Sequence, residues 1–298
     1  MNTKKPAAIP DAFDKIKRLT VVAMFSDDEL EEDLVLKGGN AMDLVHHLSS
    51  RASMDLDFSM KHDFPGGVED FKLRVERALH KTFKPEGYAV FDVKMQERPD
   101  AISDDMRDFW GGYAIEFKIT TEALYEANKG DIVKLRNSAI NLGQGTKFLI
   151  DISRFEYTDG KLETEFDGYR IYVYTPEMIV CEKLRAICQQ LPEYGPIIKR
   201  SYPSKGRARD FLDITILMEG RDIDLTSASN LELISEMFKA KRVPMNFLSM
   251  VESQRDLHRA DFASVQATVK PDMKLKGFDD YFDNVLVLIE KLKPLWNK

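Results

Sequence analysis

The spacing of apolar positions divides the chain into two stretches of different character. Residues 12–25 carry helical spacing. Ser26 and Glu29 form a capping-box pattern that opens a short acidic turn. Residues 34–37 read as a strand broken by Gly38-Gly39-Asn40, and residues 41–48 as a helix. Residues 55–60 alternate acid and apolar, a strand pattern. Residues 71–83 return to helical spacing. Residues 88–95, 113–120, 147–153 and 170–174 are rich in β-branched and aromatic residues and predict strands. After Thr175-Pro176 the pattern becomes helical throughout, over 178–191, 208–218, 230–241, 245–259 and 280–292. Residues 192–206 read as a loop because of Pro192, Gly195, Pro196, Pro203 and Gly206. The expected fold is α/β, of the α+β kind: a mixed sheet with helices over 1–175, then a helical domain over 176–298.

Composition narrows the function. A net charge of −7 argues against a generic polyanion binder, so contact with nucleic acid needs a local basic patch. No apolar run approaches the roughly 20 residues of a membrane span. The first residues lack the apolar core of a signal peptide. A cytoplasmic protein with no membrane partner is the expectation. Cys181 and Cys188, two helical turns apart, are spaced too widely for a disulfide. The five histidines form no zinc-binding pattern.

Two short motifs carry candidate chemistry. In Leu36-Lys37-Gly38-Gly39-Asn40-Ala41, two glycines lie between a strand and a helix. Glycine lets the backbone turn sharply and approach a ligand. The next helix offers unpaired N–H groups and a positive dipole end, a natural cradle for phosphate. Such a turn is also an ordinary structural device. In Asp55-Leu56-Asp57, residues two apart on a strand share a face. Two adjacent carboxylates repel each other and tolerate this best around a divalent cation. Mg²⁺ (or Mn²⁺) accepts such ligands and keeps positions for phosphate. Two exposed acids on an edge strand would read the same. Taken in order, the motifs place a phosphate cradle and a metal site at neighbouring strand ends, as nucleotidyl transfer requires.

Other residues extend this constellation. Phe148, Ile150 and Ile152 make one apolar strand face, and Asp151 lies on the other with Leu149 and Ser153. Burial of Asp151 would demand a partner, whereas an exposed antiparallel face would not. Asp151 is a candidate third acid. Glu116 competes with it, although Lys118 on the same face suggests a surface ion pair. Lys183 borders an apolar stripe of Val180, Leu184, Ile187 and Leu191, where lysine commonly snorkels to water. Asp210 and Asp213 share a helical face and could pair with Arg207, Arg209 or Lys183. Lys199, Arg200, Lys205, Arg207 and Arg209, with Tyr202 among them and no acid between, form the expected contact for a triphosphate or RNA backbone. A solvated loop is the alternative.

The block Leu36 to Met42, followed by Arg51-Ala52-Ser53-Met54-Asp55-Leu56-Asp57-Phe58-Ser59, resembles the signature of the AbiEii/AbiGii toxin family: a K-G-G-T-A-L turn, then R-x-S-x-D-[IL]-D-[FL]. Asn40 stands where the family commonly has Thr or Ser. Glu182-Lys183-Leu184-Arg185-Ala186 is similar to that family's E-K-L-x-A-L helix, and Arg207 to Asp213 to its R-x-R-D-x-x-D segment. The resemblance runs in order from Leu34 to Ile214. It implies a polymerase-β-like nucleotidyltransferase core with a helical C-terminal part. It implies a nucleoside triphosphate (NTP) as substrate, an RNA acceptor such as tRNA, and a bacterial toxin–antitoxin or abortive-infection (phage-defence) role with a cognate antitoxin. Lys37, Gly38, Gly39 and Asn40, with Arg51, Ser53 and Lys183, would hold the nucleotide. Asp55 and Asp57 would hold the metal, and Asp210 would lie near the site.

Three functions therefore compete. The first is a toxin that transfers a nucleotide from an NTP to an RNA or protein hydroxyl. The second is a catalytically silent nucleotide-binding module, which the intact acid pair disfavours. The third is a small-molecule nucleotidyltransferase of the antibiotic-modifying kind, which the basic 199–209 segment disfavours.

Overall fold

The computed structural model describes residues 10–48, 55–141, 145–270 and 273–296. Helices α1 (Pro10–Met24) and α2 (Asp28–Asp33) lead into β1 (Val35–Lys37). Asp27, not Ser26, caps α2: its carboxylate accepts from the Glu29 and Leu30 N–H groups at 3.2 and 3.3 Å. The Ser26 hydroxyl turns back to the Ala23 carbonyl. A helical turn, α3 (Gly38–Asn40), follows β1 and widens into a π-helical turn (Ala41–Val45), shorter than the expected 41–48 helix. Then come β2 (Leu56–Ser59), α4 (Gly67–Phe83), β3 (Tyr88–Arg98), β4 (Gly112–Thr121), α5 (Glu122–Ala127), α6 (Ile132–Ser138), β5 (Phe148–Ser153), β6 (Leu162–Phe166) and β7 (Tyr169–Val173). Asp55 thus precedes β2 instead of opening it. The sequence pattern did not reveal α5, α6 or β6. The two helices are short and announced only by their caps, Thr121 and Asp131. The third is an edge strand whose Glu163 and Glu165 mask its alternation.

Among the described residues the seven strands form one mixed sheet in the order β3-β4-β5-β2-β1-β7-β6. β2 runs parallel to β5 and antiparallel to β1, which in turn runs parallel to β7. Because side chains alternate across a strand, this register sorts residues onto two faces. On one face Leu56, Phe58, Ile115, Phe117, Phe148, Ile150 and Ile152 are buried under α1 and α4. Phe13 of α1 meets Phe148, and Phe71 of α4 meets Tyr113. The opposite face carries Lys37, Asp57, Asp151 and Ser153.

The second stretch begins at Thr175, whose hydroxyl accepts from the Met178 N–H at 3.2 Å, with Pro176 at the first helical position. It comprises α7 (Pro176–Cys188), α8 (Ala208–Gly220), α9 (Ala228–Ala240), a 3₁₀ run (Met245–Gln254), α10 (Arg255–Ala260), α11 (Phe262–Gln266) and α12 (Phe278–Lys291). The single helix expected over 245–259 is thus the 3₁₀ run and α10. Cys181 and Cys188 are buried in α7 and unbonded to each other. Phe211 of α8 stacks on Phe282 of α12 at 4.9 Å. One apolar cluster continues from the sheet into these helices across Thr175. No helix among the described residues is long and apolar enough to cross a membrane.

Candidate active site

The polar sheet face assembles residues that are distant in sequence. Lys37 lies beside Asp57 across the β1–β2 ladder, and Asp57 beside Asp151 across the parallel β2–β5 ladder. The three form one cross-strand row, and Asp55 precedes Asp57 by two residues. Gly38 has φ +66°, and a Cβ there would stand 2.7 Å from the Asp57 Oδ2. Only glycine lets this turn lie against the carboxylate. Asn40 is fully buried and its amide donates to the Asp55 carbonyl at 2.6 Å. It therefore holds the backbone beneath the acid, a task different from the phosphate contact expected of it.

The acids destabilise one another's charged forms. Burial, with contributions from Glu182, Asp151 and Asp55, pushes the Asp57 carboxyl up to about 7 although Lys37 pulls it down. Asp55 and Asp151 are also raised, mainly by loss of water; Asp151 acts on Asp55, while Arg98 and Lys37 temper Asp151. Arg209 faces Asp55 and favours its ionised form. Among the described residues, no three His, Cys, Asp or Glu side chains converge tightly enough to hold a metal unaided.

Helix α7 joins this row to the rest of the molecule. The Lys37 ammonium donates to Glu182 at 2.7 Å and to the Ser153 hydroxyl at 3.1 Å. Lys183, next in sequence, is buried and donates to Asp210 at 3.1 Å and Asp213 at 2.7 Å on α8. The pairing of Lys183 with Asp210 agrees with the sequence expectation. Arg185 grips Glu156 with its two terminal guanidinium nitrogens, Nη1 and Nη2, at 2.7 and 3.1 Å, and Nη1 also donates to the Met237 carbonyl of α9. Lys241 completes this cluster, 3.5 Å from Glu156. Burial, with Arg185 and Lys37 adding to it, lowers the Lys241 pKa to about 8, while Arg185, Lys241 and Lys37 hold Glu156 far below the usual carboxylate range. Glu182, Arg185, Glu156 and Lys241 did not stand out as site residues in the sequence. Glu182 and Arg185 carried a hint, since they lie in the family-like Glu182-Lys183-Leu184-Arg185-Ala186 segment; Glu156 and Lys241 carried none.

The row floors a cleft of about 1550 Å³, walled by α7, the start of α8 and the β3–β4 connection. The five bases expected to contact an acceptor divide here. Arg200 donates to the Gln189 and Leu191 carbonyls and so closes the C-terminal end of α7. Lys199 is paired with Asp105 at 2.7 Å, and Arg207 with Asp210. The Lys205 side chain is exposed, and Arg209 lines the cleft. Neither Lys205 nor Arg209 makes a side-chain ion pair among the described residues. Glu116 does not join the row: it pairs with Lys147 at 2.7 Å, while Lys118 reaches toward Thr146. Arg51 and Ser53 lie outside the described residues.

These observations meet a family match. The model described as "Nucleotidyl transferase AbiEii toxin, Type IV TA system" covers residues 20–284. The class is that of nucleotidyltransferase enzymes. The chain belongs to the AbiEii family of nucleotidyltransferase toxins within it. No curated protein matches the sequence. Among solved structures, JHP933 from Helicobacter pylori is similar at 18% identity, over 95% of this chain and 91% of its own, with a TM-score of 0.46. MenT4, a nucleotidyltransferase toxin from Mycobacterium tuberculosis, is similar at 13% identity, over 94% and 82%, with a TM-score of 0.47.

Proposed function

We propose that this toxin uses a divalent cation to transfer a nucleotide from an NTP to a hydroxyl of an RNA, with tRNA a natural acceptor. The observation that carries this reading is the Lys37–Asp57–Asp151 row, with Asp55 beside it and the Gly38 turn against it. Three crowded carboxylates with raised pKa values form a set of hard oxygen donors that a cation relieves, suited to Mg²⁺ or Mn²⁺. Mg²⁺ commonly takes one or two carboxylates and fills its remaining positions with phosphate and water, which fits an open donor set better than a closed cage. Asp55 and Asp57 would hold the ion, and its contribution when bound is to neutralise phosphate charge.

The remaining work falls to the chain's own groups. The Gly38-Gly39 backbone lets the phosphates approach closely, and Arg209 supplies positive charge on the cleft wall, with Lys183 behind it, shared between Asp210 and Asp213. Asp151 accepts the proton of the attacking hydroxyl. The acceptor oxygen bonds to the α-phosphorus as the bond to the bridging oxygen breaks and pyrophosphate leaves. The cleft exceeds the roughly 300–1,000 Å³ usual for a small ligand, which favours a nucleotide plus the end of a macromolecule over a small-molecule acceptor. A cognate antitoxin is the expected partner, and defence by abortive infection the setting.

The test supplies each labelled NTP with Mg²⁺, total RNA and total protein, and follows the label. We expect transfer into RNA, its loss in Asp57→Ala, and loss of toxicity on expressing that variant in bacteria. No transfer from any NTP, or full transfer by Asp57→Ala, would overturn the reading. Label in protein alone would reassign the acceptor.

A further inference from the structure

Residues 99–111 connect β3 to β4 and wall the cleft through Pro99, Ser103, Met106 and Trp110. This strap carries Asp100, Asp104, Asp105 and Asp108 against a single base, Arg107. It bridges from the sheet to the helical stretch and is fastened there in two ways. The inner fastening is buried. The Lys241 ammonium donates to the Phe109 carbonyl at 3.2 Å and to that of Arg154, and Trp110 stands edge-on to Tyr194 at 6.0 Å. The outer fastening is open to water. Lys199 donates to Asp105 at 2.7 Å and to the Ser103 hydroxyl at 3.0 Å. Arg242 pairs with Asp108 and donates to the Asp105 carbonyl at 3.1 Å. The side chains of Lys199 and Asp105 are 53% and 63% exposed, and those of Arg242 and Asp108 48% and 68%. Ion pairs this exposed are weak and screened by salt.

Lys199 sits at the cleft, where a polyanion would meet it, and is already matched by a carboxylate of the same chain. We infer that the strap is an acidic gate whose Asp105 and Asp108 compete with a polynucleotide acceptor for Lys199 and Arg242. This rests on the proposed RNA acceptor and adds a selection rule to it. An acceptor with several phosphates along one strand can replace both carboxylates together. A small acceptor with one charge or none cannot. Met106 and Phe109, 5% and 4% exposed, keep the strap's backbone in the core, so the exchange is one of side chains: Asp105 and Asp108 give up their bases while the strap and the β3–β4 ladder stay in place. Weak outer pairs suit this role, because a gate held by buried pairs would not open for a ligand of ordinary affinity.

The experiment compares the full chain with the double variant Asp105→Asn/Asp108→Asn. The probe is a fluorescent single-stranded RNA oligonucleotide, followed by anisotropy across a salt series. Two released bases should tighten binding roughly 2- to 30-fold at low salt. They should steepen the log K against log salt slope by roughly 1.4, at about 0.7 per phosphate contact for a single strand. Asp104→Asn is the control: Asp104 pairs with Arg107 inside the strap, so it removes half as much charge as the double variant and frees neither Lys199 nor Arg242. Unchanged or weaker binding by the double variant overturns the gate, as does a gain in Asp104→Asn of half or more of the double variant's gain in log K. These readouts need no catalysis. Failure of wild-type label transfer would strike the proposed reaction, whereas failure here would strike only the gate.

Discussion

The two faces of the central sheet are built from alternate residues of the same strands and do opposite things. Under α1 and α4, Phe58, Phe117, Phe148 and Ile150 lose their contact with water and hold the fold together. One residue along, Asp57 and Asp151 hold charge where charge is costly, and their carboxyl groups rise toward neutrality in response. The first face is stable because it is satisfied. The second leaves Asp57 and Asp151 buried with raised pKa values, the condition that the proposed cation would relieve. A one-residue slip in register would exchange the two sets, so the apolar face also serves to aim the acids.

Perturbing each face in turn should separate these roles. Phe148→Ala opens a cavity beside Phe13 and Phe117 and should cost about 3–5 kcal/mol in denaturant unfolding, while the folded fraction keeps its rate of transfer. An equal loss of kcat would mean that the faces are not separable. Asp57→Asn should do the reverse. The folded Asp57 titrates near 7 against an ordinary value of 3.8, so between those values the folded state holds a proton that the unfolded chain has released. Metal-free stability is therefore greatest below the unfolded value, falls as pH rises through about 7 and is level above it. The full interval corresponds to at most about 4 kcal/mol. Asp57→Asn should flatten this pH dependence and raise the metal-free melting temperature at pH 8 while abolishing transfer. A lower melting temperature there would refute the proposed strain. Gly38→Ala should have the smallest effect on stability, about 1–2 kcal/mol for a left-handed residue. Its new Cβ presses on Asp57, so kcat should fall more than stability explains; single-turnover transfer measures this directly.

The two faces were legible in sequence because alternation is local. Phe148-Leu149-Ile150-Asp151-Ile152-Ser153 announces one dry side and one polar side, and Leu56-Asp57-Phe58 does the same, although the alternation wrongly drew Asp55 into the strand that it precedes. The partners of those acids were not legible. Glu182, which holds Lys37, is 145 residues from it, and no periodicity encodes such a pairing. The basic run from Lys199 to Arg209 reads as a uniform polyanion contact, yet one base closes a helix end and two are matched by carboxylates. Composition reveals charge but not whether the charge is already spent. Strand β6 escaped notice because exposed edge strands lack the apolar signal that marks central ones.

Lys37, Asp57 and Asp151 are neighbours in the sheet but come from strands separated along the chain, and α7 supplies the counter-ion of Lys37 later still. During synthesis the first sixty residues emerge with the whole glycine turn and acid pair, yet with no third acid and no Glu182 to hold the lysine. At the usual pace of about 5–20 residues per second, several seconds pass before β5 and then α7 can complete the floor. A chain interrupted before β5 and α7 would carry the glycine turn and the acid pair without Asp151 beside Asp57 and without the Glu182 counter-ion of Lys37.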